Sequence, residues 1–389
     1  MSEAEKRGPL AGVKILEIAG IGPGPFAGML LADLGATVIL VERPPSGRPD
    51  PLDLGANAIF NRGKQSLCVD LKAPRASELV LRLAESCDAL IEGMRPGVME
   101  RLGLGPDACL KRNPRLVYGR MTGWGQSGPL AQAAGHDLNY IALSGALWYA
   151  GQPGQPPLAP PTLVGDLGGG ALYLALGILA GITHARTSGQ GQVVDAAIVD
   201  CSANLMNLLL SIHAGGHLPI ARGGGLLDGP YWYNTYRCAD GRDITLGALE
   251  PQFHRELIER LGLTGDPAFA TPYDATTWPA ARARLTSLFA GAPQAHWCKV
   301  LEGSDACFAP VLDPTEAAAH PHLVGRAVYG VRDGVLQAAP APRFSAFPEP
   351  APAPPPARGA NWSSVLGACG MSPAEAEAWM AAGVVTVNP

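Results

Sequence analysis

Charge is sparse in this 389-residue sequence: Asp, Glu, Lys and Arg together make 16% of it, and the formal net charge is −5. Lys and Arg are scattered in ones and twos, so the clustered positive surface that a phosphate backbone demands is missing. No nucleic-acid partner is expected. A long apolar run is missing too: residues 171–182 are the most apolar segment, too short to span a bilayer and carrying Gly177 and Gly181. That segment reads as a buried core helix, and no membrane span is expected. The first seven residues are polar and charged, with no apolar run behind them of the kind a secretory leader needs. The eight cysteines form no C-x-x-C pair and have no histidine at metal-ligand spacing. They read as reduced, mostly buried thiols, none marked as a nucleophile, and no metal site is expected.

What the chain has in quantity is apolar residues, 47% of the total, enough for a large core and for two domains. Strands are predicted over residues 10–18, 36–41, 67–71 and 89–91, with helices over 26–34 and 74–86 between them. This βαβα alternation predicts an α/β fold, an open and mostly parallel sheet with helices on both faces. In such sheets ligands gather beyond the carboxyl ends of the strands, where Arg43, Lys72, Arg95 and Arg101 would project. Gly22-x-Gly24-x-x-Ala27 followed by Glu42 also resembles a dinucleotide fingerprint with its ribose-binding acid. Pro23 and Pro25 argue against it, because they remove N–H donors that a pyrophosphate would need. Arg43, directly after Glu42, suits a phosphate better than a ribose diol.

Downstream, the Gly-rich run 122–129 leads into Gly135-His136-Asp137-Leu138-Asn139-Tyr140, an imidazole, a carboxylate and an amide within four residues. A loop feeding an element is where catalytic groups are commonly held. Asp166 precedes Gly168-Gly169-Gly170 and a long apolar helix expected from about residue 171, so it also reads as an N-cap. Three glycines in a row allow close approach of another backbone or a ligand. After an irregular Gly-rich stretch at 214–230, residues 231–249 predict an antiparallel hairpin, followed by helices at 252–261, 280–290 and 297–301. Residues 340–358 are Pro/Ala-rich and read as an extended strap, and Ser372-Pro373-Ala374-Glu375 is a helix start. The expected domains are 1–205 (large), 206–229 (linker), 230–325 (small α+β) and 326–389 (strap and C-terminal helix).

Several ordered motifs resemble the family III CoA-transferase superfamily, and within it the α-methylacyl-CoA racemases: residues 20–25 with 31–36, 95–105, 121–126, 135–140, 164–166, 191–197 and 249–253. The likeness runs from about residue 10 to the final helix. It implies a Rossmann-like large domain, a small domain, a C-terminal segment returning to the large domain, and subunits that interlock as a homodimer. The CoA contacts it implies fall on Arg43, on Val69, Asp70, Leu71 and Lys72, on Gly93, Met94 and Arg95, on Arg101, and on Gly135, His136, Asp137, Leu138, Asn139 and Tyr140. Separated basic residues suit a ligand with three phosphates.

Racemising a 2-methylacyl thioester means removing the weakly acidic α-proton and returning one to the opposite face, which calls for two bases and a donor to the enolate oxygen. The resemblance assigns the bases to His136 and Asp166, the oxyanion contact to the Asp137 N–H, and support of the imidazole to Glu250 across the dimer. The rival within the same family is a CoA-transferase in which Asp166 is the nucleophile. His136 favours the racemase. No cofactor is expected, because CoA is part of the acyl-CoA substrate. The terminal Thr386-Val387-Asn388-Pro389 is not a Ser-Lys-Leu type signal, so a cytoplasmic location is expected.

Overall fold

The structure is a computed structural model that describes residues 8–45, 54–347 and 351–386. These residues group into two compact units. The charged start of the chain and the last three residues lie outside the described residues.

The first unit draws on Met1–Ala146, Pro160–Leu205 and Val328–Pro389. Its strands are β1 (Lys14–Ile18), β2 (Thr37–Glu42), β3 (Gln65–Cys68), β4 (Ala89–Glu92), β5 (Val117–Thr122) and β6 (Gln192–Ala197). They form one sheet in the order 3-2-1-4-5-6, parallel throughout. The helices are α1 (Pro23–Asp33), α2 (Ala76–Glu85), α3 (Val98–Arg101), α4 (Pro106–Arg112), α5 (Asp137–Leu143), α6 (Leu172–Ser188) and α7 (Ile198–Leu205). Successive strand residues face opposite layers. Leu16, Ile39 and Leu67 pack with Leu79 and Leu83 of α2, while Ile15, Val38 and Ile91 pack with Leu31 of α1 and with Leu174 and Ile178 of α6. Both faces are covered, which is why Val38-Ile39-Leu40-Val41 is apolar without alternation.

Helix α1 begins at Pro23, three residues before the expected start. Amides in the first helical turn have no intrahelical acceptor, so Pro23 and Pro25 forfeit little there. A larger correction concerns Asp166. It does not cap a helix from outside but lies inside a nine-residue π-helical segment, Leu163–Ala171, continuous with α6. Together they make a 26-residue helix that is long and apolar enough to cross a membrane by length and composition. The expectation from length therefore fails, and packing takes its place: Leu174, Ile178 and Ile182 are buried against the sheet layer.

The second unit draws on Leu147–Ala159 and Met206–Ala327. It holds α8 (Asn207–Ala214), β7 (Tyr233–Arg237), β8 (Asp243–Gly247), α9 (Pro251–Arg260), α10 (Trp278–Phe289), α11 (Gln294–Leu301), β9 (Phe308–Pro310), α12 (Pro314–Ala319) and α13 (Pro321–Gly325). The predicted hairpin is β7–β8, antiparallel, and β9 adds a third strand. Residues 147–159 were expected within the large domain. They belong here because Trp148 Nε1 donates to Ile220 O at 2.7 Å and Arg222 stacks over the Trp148 ring.

The chain then returns to the first unit as a hairpin, β10 (Tyr329–Arg332) and β11 (Val335–Ala338), followed by α14 (Trp362–Ala368) and α15 (Pro373–Ala381). Ser372 and Glu375 form the predicted capping box of α15. Val365, Leu366 and Trp379 join the α2 core layer, and Val385 bridges Val69. All eight cysteines are free, four buried and four half-buried. Burial pushes the Cys87 and Cys109 thiols up to about 12, so neither offers a thiolate near neutrality.

Candidate active site

The carboxyl edge of the sheet carries most of the predicted binding residues. Arg43 follows β2, residues 69–72 follow β3, residues 93–95 follow β4, and the loop from β5 runs to His136. Arg43, Lys72, Arg95 and Arg101 are exposed, Arg101 at the end of α3. Asp70 Oδ1 accepts the Lys72 N–H at 2.9 Å, which shapes that turn. Val69 and Leu71 differ from the polar positions: their side chains join the core, so they offer a ligand backbone at most.

Two buried charges that sequence reasoning passed over shape the same edge. Glu92, the last residue of β4, accepts the Met94 N–H at 2.7 Å and Arg120 Nε at 3.1 Å, while Arg120 also reaches Glu100 at 2.9 Å. The carboxylate thus holds the 93–95 turn. Burial pushes Glu92 up to about 7, against the pull of the Met94 amide and Arg120. The one available signal was an acid closing an otherwise apolar strand.

The loop after β5 is pinned at several points before it reaches His136. Gly125 N donates to Thr122 Oγ1, Val199 N donates to Gly123 O, and Gln132 Nε2 donates to Pro96 O. Tyr140 folds back so that its hydroxyl donates to Gly135 O, and its ring meets Trp124 edge-on at 4.7 Å. A Cβ on Gly123 would fall 2.0 Å from Tyr140 Cζ, so this packing requires glycine.

His136 is the N-cap residue of α5, with extended backbone, and its N–H donates to Asn139 Oδ1 at 3.1 Å. The residue is exposed. The next residue, Asp137, is buried, and its Oδ1 accepts Gly165 N at 2.8 Å and Asp166 N at 2.7 Å. The histidine-bearing helix and the aspartate-bearing segment are thereby joined. Asp166 is half-buried, and a Cβ on Gly22, the N-cap of α1, would sit 3.5 Å from its Oδ2. Burial pushes the Asp166 carboxyl up to about 6; the Asp137 carboxylate adds to the rise and His136 opposes it. A carboxyl poised near neutrality can both take and give a proton. Glu250 lies in the second unit as the exposed N-cap of α9. Glu42, the residue a nicotinamide site would use, instead accepts the Ser66 hydroxyl and faces Arg358. Among the described residues no three His, Cys, Asp or Glu side chains gather as a metal site would require.

A parallel 3-2-1-4-5-6 sheet with helices on both faces, and with basic residues along its carboxyl edge, defines an α/β protein of the Rossmann type. The model of CoA-transferase family III matches residues 10–362. The chain belongs to that family. It is 43% identical over 315 residues to human (Homo sapiens) alpha-methylacyl-CoA racemase, covering 80% of this chain and 80% of the relative. It is also 35% identical over 285 residues to succinyl-CoA–D-citramalate CoA-transferase of Chloroflexus aurantiacus, covering 70% of each. Among solved structures, a CaiB/BaiF family protein from Brucella suis superposes with a TM-score of 0.78 at 26% identity, covering 94% of this chain and 100% of that one.

Proposed function

We propose that this protein interconverts the two configurations at C2 of 2-methylacyl-CoA thioesters by two-base proton transfer. One side chain of the His136/Asp166 pair removes the α-proton as the C–H electrons move onto the thioester oxygen; the conjugate acid of the other returns a proton to the opposite face. Each turnover exchanges the protonation states of the pair, and the reverse reaction resets them. The Asp137 N–H, at the first turn of α5, serves the enolate oxygen. Arg43, Lys72, Arg95 and Arg101 take the phosphates of CoA, which is part of the substrate, so no separate cofactor is needed. The observation that supports the reading is the Asp137 link, which joins the segment bearing Asp166, with its raised carboxyl pKa, to the helix that begins at His136. A nucleophilic aspartate alone, as the transferase reading has it, gives that histidine no task.

Two subunits complete the site in this reading, with Glu250 of one steadying the imidazole of the other. Exposed Leu138, Leu143, Leu163, Leu172, Leu176 and Leu205 support a dimer, because they form apolar surface that a second copy would cover. The test is incubation of a single epimer in heavy water with no acceptor acid. Both epimers should appear, carrying deuterium at C2. No exchange, with CoA moving to an added carboxylic acid, would establish the transferase instead.

A further inference from the structure

We propose that the Asp137 side chain is a positioning residue that sets Asp166 relative to His136, acting through the backbone of the segment that bears Asp166. The inference rests on the racemase reading and names the group that fixes the spacing of its two bases. The first amides of a helical segment lack intrahelical acceptors, and the residue before the segment commonly supplies one. Thr162, which precedes Leu163–Ala171, supplies none from its side chain. Gly165 N and Asp166 N instead both donate to one oxygen of Asp137, a residue only 7% exposed and distant in sequence. A Cβ at position 165 would fall 2.6 Å from that oxygen, so glycine is needed for the contact. Asp137 follows His136 directly. The peptide of one base is therefore tied to the backbone of the other through a single carboxylate.

The same carboxylate places a negative charge beside Asp166. A reversible two-base reaction runs best when both groups hold the proton with similar affinity. Asp137 moves the Asp166 carboxyl in that direction, upward from the ordinary range of an aspartate. The elements packed on this segment bring these titratable groups: His136, Asp137 and Tyr140 from α5, Asp33 from α1, Asp200 and Cys201 from α7, Tyr118 and Arg120 from β5, and Tyr173, His184 and Arg186 from α6. Asp33 is held by Arg62, and Arg120 by Glu92 and Glu100. Only Asp137 and His136 act appreciably on Asp166, and Arg95 acts on the neighbouring Tyr140.

Two variants separate the roles. Asp137→Asn keeps an Oδ1 acceptor and removes the charge; Asp137→Ala removes both. In Asp137→Ala the amides of Gly165 and Asp166 should lose hydrogen-exchange protection by at least about tenfold. Its kcat for epimerisation should fall about 100-fold, as expected for a misplaced base, with KM within a few-fold of wild type. In Asp137→Asn protection should persist and most of kcat return, while the limb of the kcat–pH profile set by Asp166 moves to lower pH. A merely structural role would leave that limb in place. Unchanged protection of the two amides in Asp137→Ala, or an unmoved limb in an active Asp137→Asn, overturns the proposal. Amide protection is read without turnover, so it judges the positioning role even for a wild type that transfers CoA rather than racemising it.

Discussion

At the scale of single residues, the site holds an unfavourable arrangement. The Asp166 carboxyl titrates at about 6 in the folded protein against an ordinary 3.8, so the folded state binds this proton more tightly than the unfolded chain does. Stability from this group is fully present below the unfolded value and is lost as pH rises through the window from 3.8 to about 6. Asp166→Asn should therefore be more stable than wild type at pH 8, by about 1 kcal/mol once partial exposure is allowed for, with little difference near pH 4. Denaturant titrations at the two pH values check this; a variant less stable than wild type at pH 8 contradicts it. A second buried charge has the opposite consequence. Lys64 Nζ donates to Glu17 Oε1 at 2.8 Å, to Pro25 O at 2.9 Å and to Asn61 Oδ1 at 3.2 Å, beneath the first turns of α1. Burial pushes Glu17 up and Lys64 down, each opposed by the other's charge. Lys64→Ala leaves Glu17 alone in the core and should cost about 3–5 kcal/mol in equilibrium unfolding. A loss below about 1 kcal/mol would mean the pair is not acting as a buried ion pair.

At the scale of elements, the site depends on glycines where side chains would break the packing. Gly123→Ala should displace the Tyr140 ring, costing about 1–3 kcal/mol as overpacking does and lowering kcat through the His136 loop. Wild-type stability and turnover together would show that the Tyr140 contact is dispensable. The same glycines explain which elements could be seen beforehand. The strands β1, β2 and β4, helix α2 and the β7–β8 hairpin were legible because their apolar periodicity or turn residues point one way. Strand β5 was not, because Gly119 and Arg120 interrupt its apolar run. Gly119 is there because Leu174 and Ile178 of α6 pack directly over it, and Arg120 because Glu92 and Glu100 receive it. The π-helical segment escaped for a related reason: four glycines among nine residues oppose a helix by propensity. Contacts of Gly169 with Ser202 and of Gly170 with Pro23 and Ile198 override that preference. Asp166 was thus found by motif resemblance, whereas its wide-turn setting, common at functional sites, came only from tertiary structure. The carboxylate role of Asp137 was likewise hidden, since no local pattern predicts an acceptor supplied from another element.

At the scale of the whole molecule, the family assignment fixes the fold and the CoA-linked chemistry, while relatives of both kinds leave the reaction itself to the two bases. In the proposed reaction His136 and Asp166 serve opposite faces of one α-carbon. The most direct measurement is made on His136→Ala, given each pure epimer separately in heavy water, with the C2 proton followed by NMR and the epimers resolved by chromatography. Interconversion should be lost while Asp166 still exchanges the α-proton of one epimer and leaves the other untouched. Interconversion at the wild-type rate, or equal exchange of both epimers, would contradict the two-base reaction.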